Sequence, residues 1–233
     1  MRAHRFDVLL GALVVLLLST PLVRLLAALW HPKWALFALS AAFGLVLLSA
    51  VFAVCQSRRS VIFALTLAVP GFTLHELHAL TGTGALLAAS HLFSAVFLAY
   101  TISLLLRFVF AAQRVSYNTI CAALCAYLLL GIFWANIYSF TAIVEPGSFR
   151  LGFVEEDAGR TMRFDGEHSI VPVYFSFVTL TTLGYGDITP TASGAQMLVV
   201  VEAVMGQLYL AVLLARLVGL QITQSAQNDP PSG

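Results

Sequence analysis

One apolar segment of this chain is too short to cross a bilayer, yet it lies between two that are long enough. A bilayer core about 30 Å thick takes roughly 20 apolar residues of helix. Six stretches meet that length: Val8–Trp30, Trp34–Val54, Val61–Leu80, Ala85–Phe110, Ile120–Ile143 and Ala195–Leu220. Between the last two lies Ile170–Thr181, which runs straight into Thr182-Leu183-Gly184-Tyr185-Gly186-Asp187. A segment of that kind enters the membrane and turns back. The irregular backbone after it is tolerated only where protein or a water-filled cavity surrounds it.

The composition agrees with a membrane protein. Apolar residues make up 60% of 233 and charged residues 10%, against about 45–50% and about 25% in soluble domains. No basic run is long enough to suggest a nucleic-acid partner. Cys55, Cys121 and Cys125 have no zinc-type spacing and are odd in number, so they read as small packing residues rather than a disulfide framework. Arg2 and Arg5 precede an apolar run that is too long for the core of a signal peptide, and no small-residue cleavage site follows it. That run reads as a retained helix.

Lys and Arg placement gives an orientation. Arg2 and Arg5 precede the first helix, Arg58 and Arg59 follow the second, and Arg107 and Arg114 follow the fourth. Those ends are expected to be cytoplasmic, with both termini inside. Arg150, Arg160 and Arg163 in the long connection run against this, but they share it with Glu145, Glu155, Glu156, Asp157, Asp165 and Glu167. The short connections His31–Lys33 and Thr81–Gly84 make two antiparallel helical hairpins. Pro21 and Pro70-Gly71 are expected to kink the first and third helices. The polar tail 221–233 is expected to be disordered.

The loop has a chemical rationale. A dehydrated cation needs several consecutive carbonyl oxygens aimed at one axis, which neither α nor β backbone provides. Glycine takes positive φ at little cost, so Gly184 and Gly186 allow alternating handedness, and Thr182 adds a hydroxyl oxygen at the inner end. Tyr185 is expected to point its ring away from the ion, with Tyr174 and Phe175 as ring neighbours, while Asp187 marks the outer mouth. Pro172 and Ser169 suit the start of the short helix. Its C-terminal end, near Thr181, favours a cation beneath the loop.

From Ile120 to Leu220 the chain resembles the pore module of tetrameric potassium channels, with Thr182–Gly186 close to their Thr-Val-Gly-Tyr-Gly filter. The run Gly206–Gly219 resembles the inner helix of the bacterial ion-channel-family branch. The resemblance implies an all-α integral membrane homotetramer with six transmembrane helices, a re-entrant pore helix and a filter loop per chain. By that resemblance Thr182, Leu183, Gly184 and Tyr185 hold K+, Gly186 completes the filter, and Thr181 and Asp187 support it. The division is then 1–115 as a four-helix peripheral domain and 116–220 as the pore domain. Within the latter, the turret is 144–169, the pore helix 170–181, the filter 182–186 and the inner helix 195–220. The sequence departs from the family pattern at Leu183, where Val or Ile is commoner. Val178 is a second departure, at a position where some relatives carry a glutamate bonded to the filter aspartate. Without it Asp187 needs another partner. A third is the fourth helix, whose single arginine, Arg107, falls short of a voltage sensor.

Other polar residues sit within apolar helices. Glu202, one turn before Gly206, reads either as a bond to the pore helix or as a cavity-facing charge. Gly206 reads as a hinge or as a packing glycine. Gln207, Leu210 and Leu214 are candidates for the cavity face. His75-Glu76-Leu77-His78 misses the zinc-protease spacing by one residue, and with His91 reads as interfacial histidines or a pH-sensing cluster. The expected function is passive K+ conduction across the plasma membrane, without a cofactor, in contact with lipid and with three further copies of the chain. A non-conducting accessory subunit or a component of a potassium-uptake transporter is the alternative; an enzyme is disfavoured because no nucleophile motif is present.

Overall fold

The computed structural model describes residues 5–29, 58–152 and 170–228, with side chains at 6–18, 58–152 and 170–225. The expected helix Trp34–Val54, Cys55, Ser169 and most of the turret lie outside the described residues. The elements are α1 (Arg5–Leu29), α2 (Arg58–Thr81), α3 (Gly84–Ala111), α4 (Tyr117–Val144), β1 (Phe149–Leu151), α5 (Ile170–Leu180), β2 (Ile188–Pro190) and α6 (Ser193–Asn228). Among them α2, α3, α4 and α6 are long and apolar enough to cross a membrane, and α5 is not.

Local chemistry sets the connections. Gly82 takes φ +68° just past the end of α2, and its amide donates to His78 O at 2.8 Å. This is the left-handed glycine stop that lets a helix reverse in few residues. The chain returns at once in α3, and Gly71 of α2 lies against Phe93 and Ser94 there. Pro70 sits inside α2, which continues through it. Between α3 and α4 the link is only Ala112–Ser116, and Ser116 caps α4 by accepting the Thr119 amide at 3.2 Å.

Helix α4 lies at the centre of the packing. Its small residues Ala122, Ala123, Ala126, Gly131 and Ala135 are buried, which lets neighbouring backbones come close where lipid gives helices no hydrophobic reason to associate. Gly131 shows the reason most directly: a Cβ there would stand 2.7 Å from the Phe177 ring of α5. On another face Cys125 Sγ approaches Phe6 O of α1 at 3.7 Å, and Phe6 stacks with Phe108 of α3 at 4.9 Å. Cys121 and Cys125 are both buried and unpaired, and they serve as small apolar filler.

The all-helical expectation needs one addition. Glu145-Pro146-Gly147-Ser148 forms a tight turn after α4, with Gly147 at φ +90° and Ser148 N bonded to Glu145 O at 3.1 Å. Proline followed by a positive-φ glycine is the pairing such a turn requires. The turn launches β1, which pairs antiparallel with β2 in the register Phe149–Pro190, Arg150–Thr189, Leu151–Ile188. Two three-residue strands far apart in sequence give no period-2 run long enough to read from the sequence.

The tail requires a correction. Residues 221–228, expected to be disordered, continue α6, and Thr223 Oγ1 donates back to Gly219 O at 3.0 Å. Gln, Ala and Ser do not stop a helix; the first residues that do are Pro230 and Pro231.

Candidate functional site

The short helix and the loop after it form one hydrogen-bonded unit. The last carbonyls of a helix have no partner within it, and here all four are supplied from outside. Phe177 O accepts the Thr181 amide at 3.0 Å and the Thr181 hydroxyl at 2.6 Å. Val178 O accepts the amides of Leu183 at 2.9 Å and Gly184 at 3.2 Å, and Thr179 O accepts that of Thr182 at 2.9 Å. Leu180 O accepts the Tyr127 hydroxyl of α4 at 3.4 Å. Three successive loop amides thus point back at α5.

The backbone of the loop alternates in hand. Thr182, Gly184 and Gly186 take φ of +58°, +57° and +75°, and Leu183 and Tyr185 between them do not share that sign. Alternation of this kind turns successive carbonyls to a common side, and among the described residues no protein donor reaches the carbonyls of Thr182–Gly186. The two glycines adopt the left-handed region freely. Thr182 does not, being β-branched, and its position is held by its amide bond to Thr179 and by its hydroxyl, which donates to Thr181 O at 2.7 Å. Positive φ at a threonine was not foreseen from sequence, because threonine carries no such local preference.

At the inner end Gln207 Nε2 donates to Thr182 Oγ1 at 3.4 Å, so this cavity candidate lies beneath the loop. Leu210 and Leu214, one and two turns on, are 43% and 65% exposed in the single chain. At the outer end Asp187 Oδ2 accepts the Tyr174 hydroxyl at 2.6 Å. Its Oδ1 accepts the Ile188 amide at 3.0 Å, and its carbonyl accepts the Gly152 amide at 2.6 Å. The partner missing at Val178 is therefore replaced by Tyr174 and by the ribbon of β1 and β2.

Phe175 is buried against Tyr138 at 5.1 Å and Phe149 at 5.6 Å. Tyr185 is 66% exposed within one chain.

Glu202 and Gly206 each had two readings, and the structure separates those of Glu202. Glu202 is fully buried. Its carboxylate accepts from Ser176 Oγ of α5 and from Tyr138 Oη of α4, so the cavity-facing charge is not what is observed. Ser176 and Tyr138 were missed; the available signal was a small polar residue, Ser176, within the apolar run of α5. Gly206 faces the Leu180 carbonyl so closely that any Cβ would collide with it, and α6 runs unbroken through it. It is a close-approach glycine.

The histidines are engaged locally. His78 Nδ1 donates to Thr83 O at 2.9 Å, and His91 Nδ1 donates to Asn136 Oδ1 at 3.0 Å. No set of three metal-ligating side chains occurs among the described residues.

A short apolar helix leads into a loop of alternating hand, with a long apolar helix on either side. Residues 160–220 match a family described as an ion channel, a stretch that takes in α5, the loop, β2 and α6 as far as Leu220. No curated protein and no solved structure matches the chain.

Proposed function

We propose that four copies of the chain assemble with their Thr182–Gly186 loops around one axis to form a passive, potassium-selective pore. The carrying observation is the loop backbone: alternating φ at Thr182, Gly184 and Gly186, with the amides of Thr182, Leu183 and Gly184 occupied by α5. That arrangement leaves a column of carbonyl oxygens for a dehydrated cation, and rings of such carbonyls are how potassium is selected. One chain carries one loop, so ring closure requires several copies. The exposure of Leu183, Tyr185, Val200, Val204 and Leu208 in the single chain supplies apolar surface for them to cover. Arg107 as the single arginine of α3 argues against strong voltage gating. Helix Trp34–Val54 completes six spans in this reading, with the arginine-rich helix ends on the cytoplasmic side of the plasma membrane.

The test is cation flux into liposomes containing purified protein. Potassium or rubidium is expected to enter and sodium to be rejected. Equal sodium and potassium flux through folded protein would defeat the selectivity claim, and no flux at all would favour an accessory role.

A further inference from the structure

Among the described residues, Glu202 is the one Asp, Glu, Lys or Arg in the buried set. It stands where three helices meet. Tyr138 Oη of α4 and Ser176 Oγ of α5 both reach its carboxylate from α6, and Ser176 Oγ also lies 2.7 Å from Gly131 O of α4. The carboxylate thus lies within hydrogen-bond reach of both neighbouring helices, and its serine partner has a second acceptor on α4.

The position of Ser176 gives this junction a consequence for the pore. Two and three residues further along α5 are Val178 and Thr179, whose carbonyls hold the amides of Thr182, Leu183 and Gly184. One turn of helix is stiff, so a shift or rotation of α5 at Ser176 is delivered to the loop amides with little loss. Apolar contact tolerates such sliding, whereas a hydrogen bond weakens steeply with angle. Apolar packing also gains little from association where lipid is the alternative surrounding.

We propose that Glu202 is a positioning residue for selectivity: through Ser176 it fixes the placement of α5, and so the spacing of the carbonyl ligands at Thr182 and Leu183. This rests on the channel reading above. Ser176 has one hydroxyl proton and two acceptors within reach. A glutamine at 202 accepts from Tyr138 through Oε1 and donates to Ser176 through Nε2, which leaves the serine proton to Gly131. Glu202→Gln is therefore the conservative variant. Glu202→Leu keeps similar bulk and loses the polar junction, and Ser176→Ala cuts the same link from the other side.

The experiment compares wild type with these three variants in liposomes, scoring assembly by chemical cross-linking and selectivity by the rubidium-to-sodium flux ratio. Glu202→Gln is expected to match wild type. Glu202→Leu and Ser176→Ala are expected to assemble and to lose about an order of magnitude in the ratio, the scale of one hydrogen bond to a charged group. A wild-type ratio in assembled Glu202→Leu would overturn the proposal, as would Glu202→Gln failing as badly as Glu202→Leu. If Glu202→Leu does not assemble, Ser176→Ala carries the test, and an unchanged ratio there overturns it. A wild-type protein that does not discriminate between the ions removes the channel reading itself and the proposal with it.

Discussion

Tyr174 donates its hydroxyl to Asp187 Oδ2 across 2.6 Å, joining α5 to the residue that follows the loop. The same aspartate is held from the turret side by the Gly152 amide, also at 2.6 Å. The outer end of the loop is therefore braced from two directions that meet on one residue.

Removing one brace is expected to loosen that end. Tyr174→Phe keeps the ring and deletes the donor, so channels should still discriminate rubidium from sodium while their current decays faster during sustained opening. Macroscopic current recordings at low external potassium test this. Decay at the wild-type rate would mean that the bond is idle.

A side chain of ordinary hand is strained at either glycine of the loop. Gly184 and Gly186 have positive φ, where an L-residue costs about 1–2 kcal/mol, and four chains sharing a ring would bear it four times. Gly186→Ala and Gly184→Ala should abolish rubidium uptake while protein still reaches the membrane. Uptake at the wild-type level in either variant would contradict the carbonyl-column account.

Gly206 is expected to behave as a packing position rather than a hinge. A Cβ there meets the Leu180 carbonyl, and overpacking of a tight contact costs about 1–3 kcal/mol. Gly206→Ala should lower the thermal unfolding temperature of the purified protein. A hinge role predicts instead unchanged stability with altered opening, so the two measurements separate the readings.

Arg216 ties α6 to the C-terminal end of α3. Its guanidinium donates to Phe110 O, to Ala112 O at 2.9 Å and to Val109 O at 3.4 Å, and it lies 5.4 Å from the Phe110 ring centroid. A cation on the carbonyl end of a helix is worth up to about 2 kcal/mol when partly buried. Arg216→Gln should change open probability in single-channel records by roughly tenfold, about 1.4 kcal/mol, while unitary conductance and ion selectivity stay as they were. An unchanged open probability would mean that the contact is only structural.

Much of the site was legible because it is built from local signals. Ile170–Thr181 is short and apolar for the same reason that α5 exists, and the two glycines mark positive φ because they lack a Cβ. Residues that act across the fold were not legible in this way. Ser176 is an ordinary serine until Gly131 and Glu202 are brought beside it, and Gly152 becomes important only when β1 pairs with β2. Residues 221–228 looked too polar for order yet contain nothing that ends a helix.

By itself the sequence determined the apolar class, the long helices among the described residues and the short helix with its glycine loop, because span length and glycine placement are properties of neighbouring residues. Only the tertiary structure decided which reading of Glu202 holds, how closely Gly206 approaches Leu180, what replaces the missing partner of Asp187, and where Arg216 is anchored. Each of those depends on groups far apart in the chain. Their positions follow from how the helices and the short ribbon pack, and which residues meet across that packing is not written in their order along the chain.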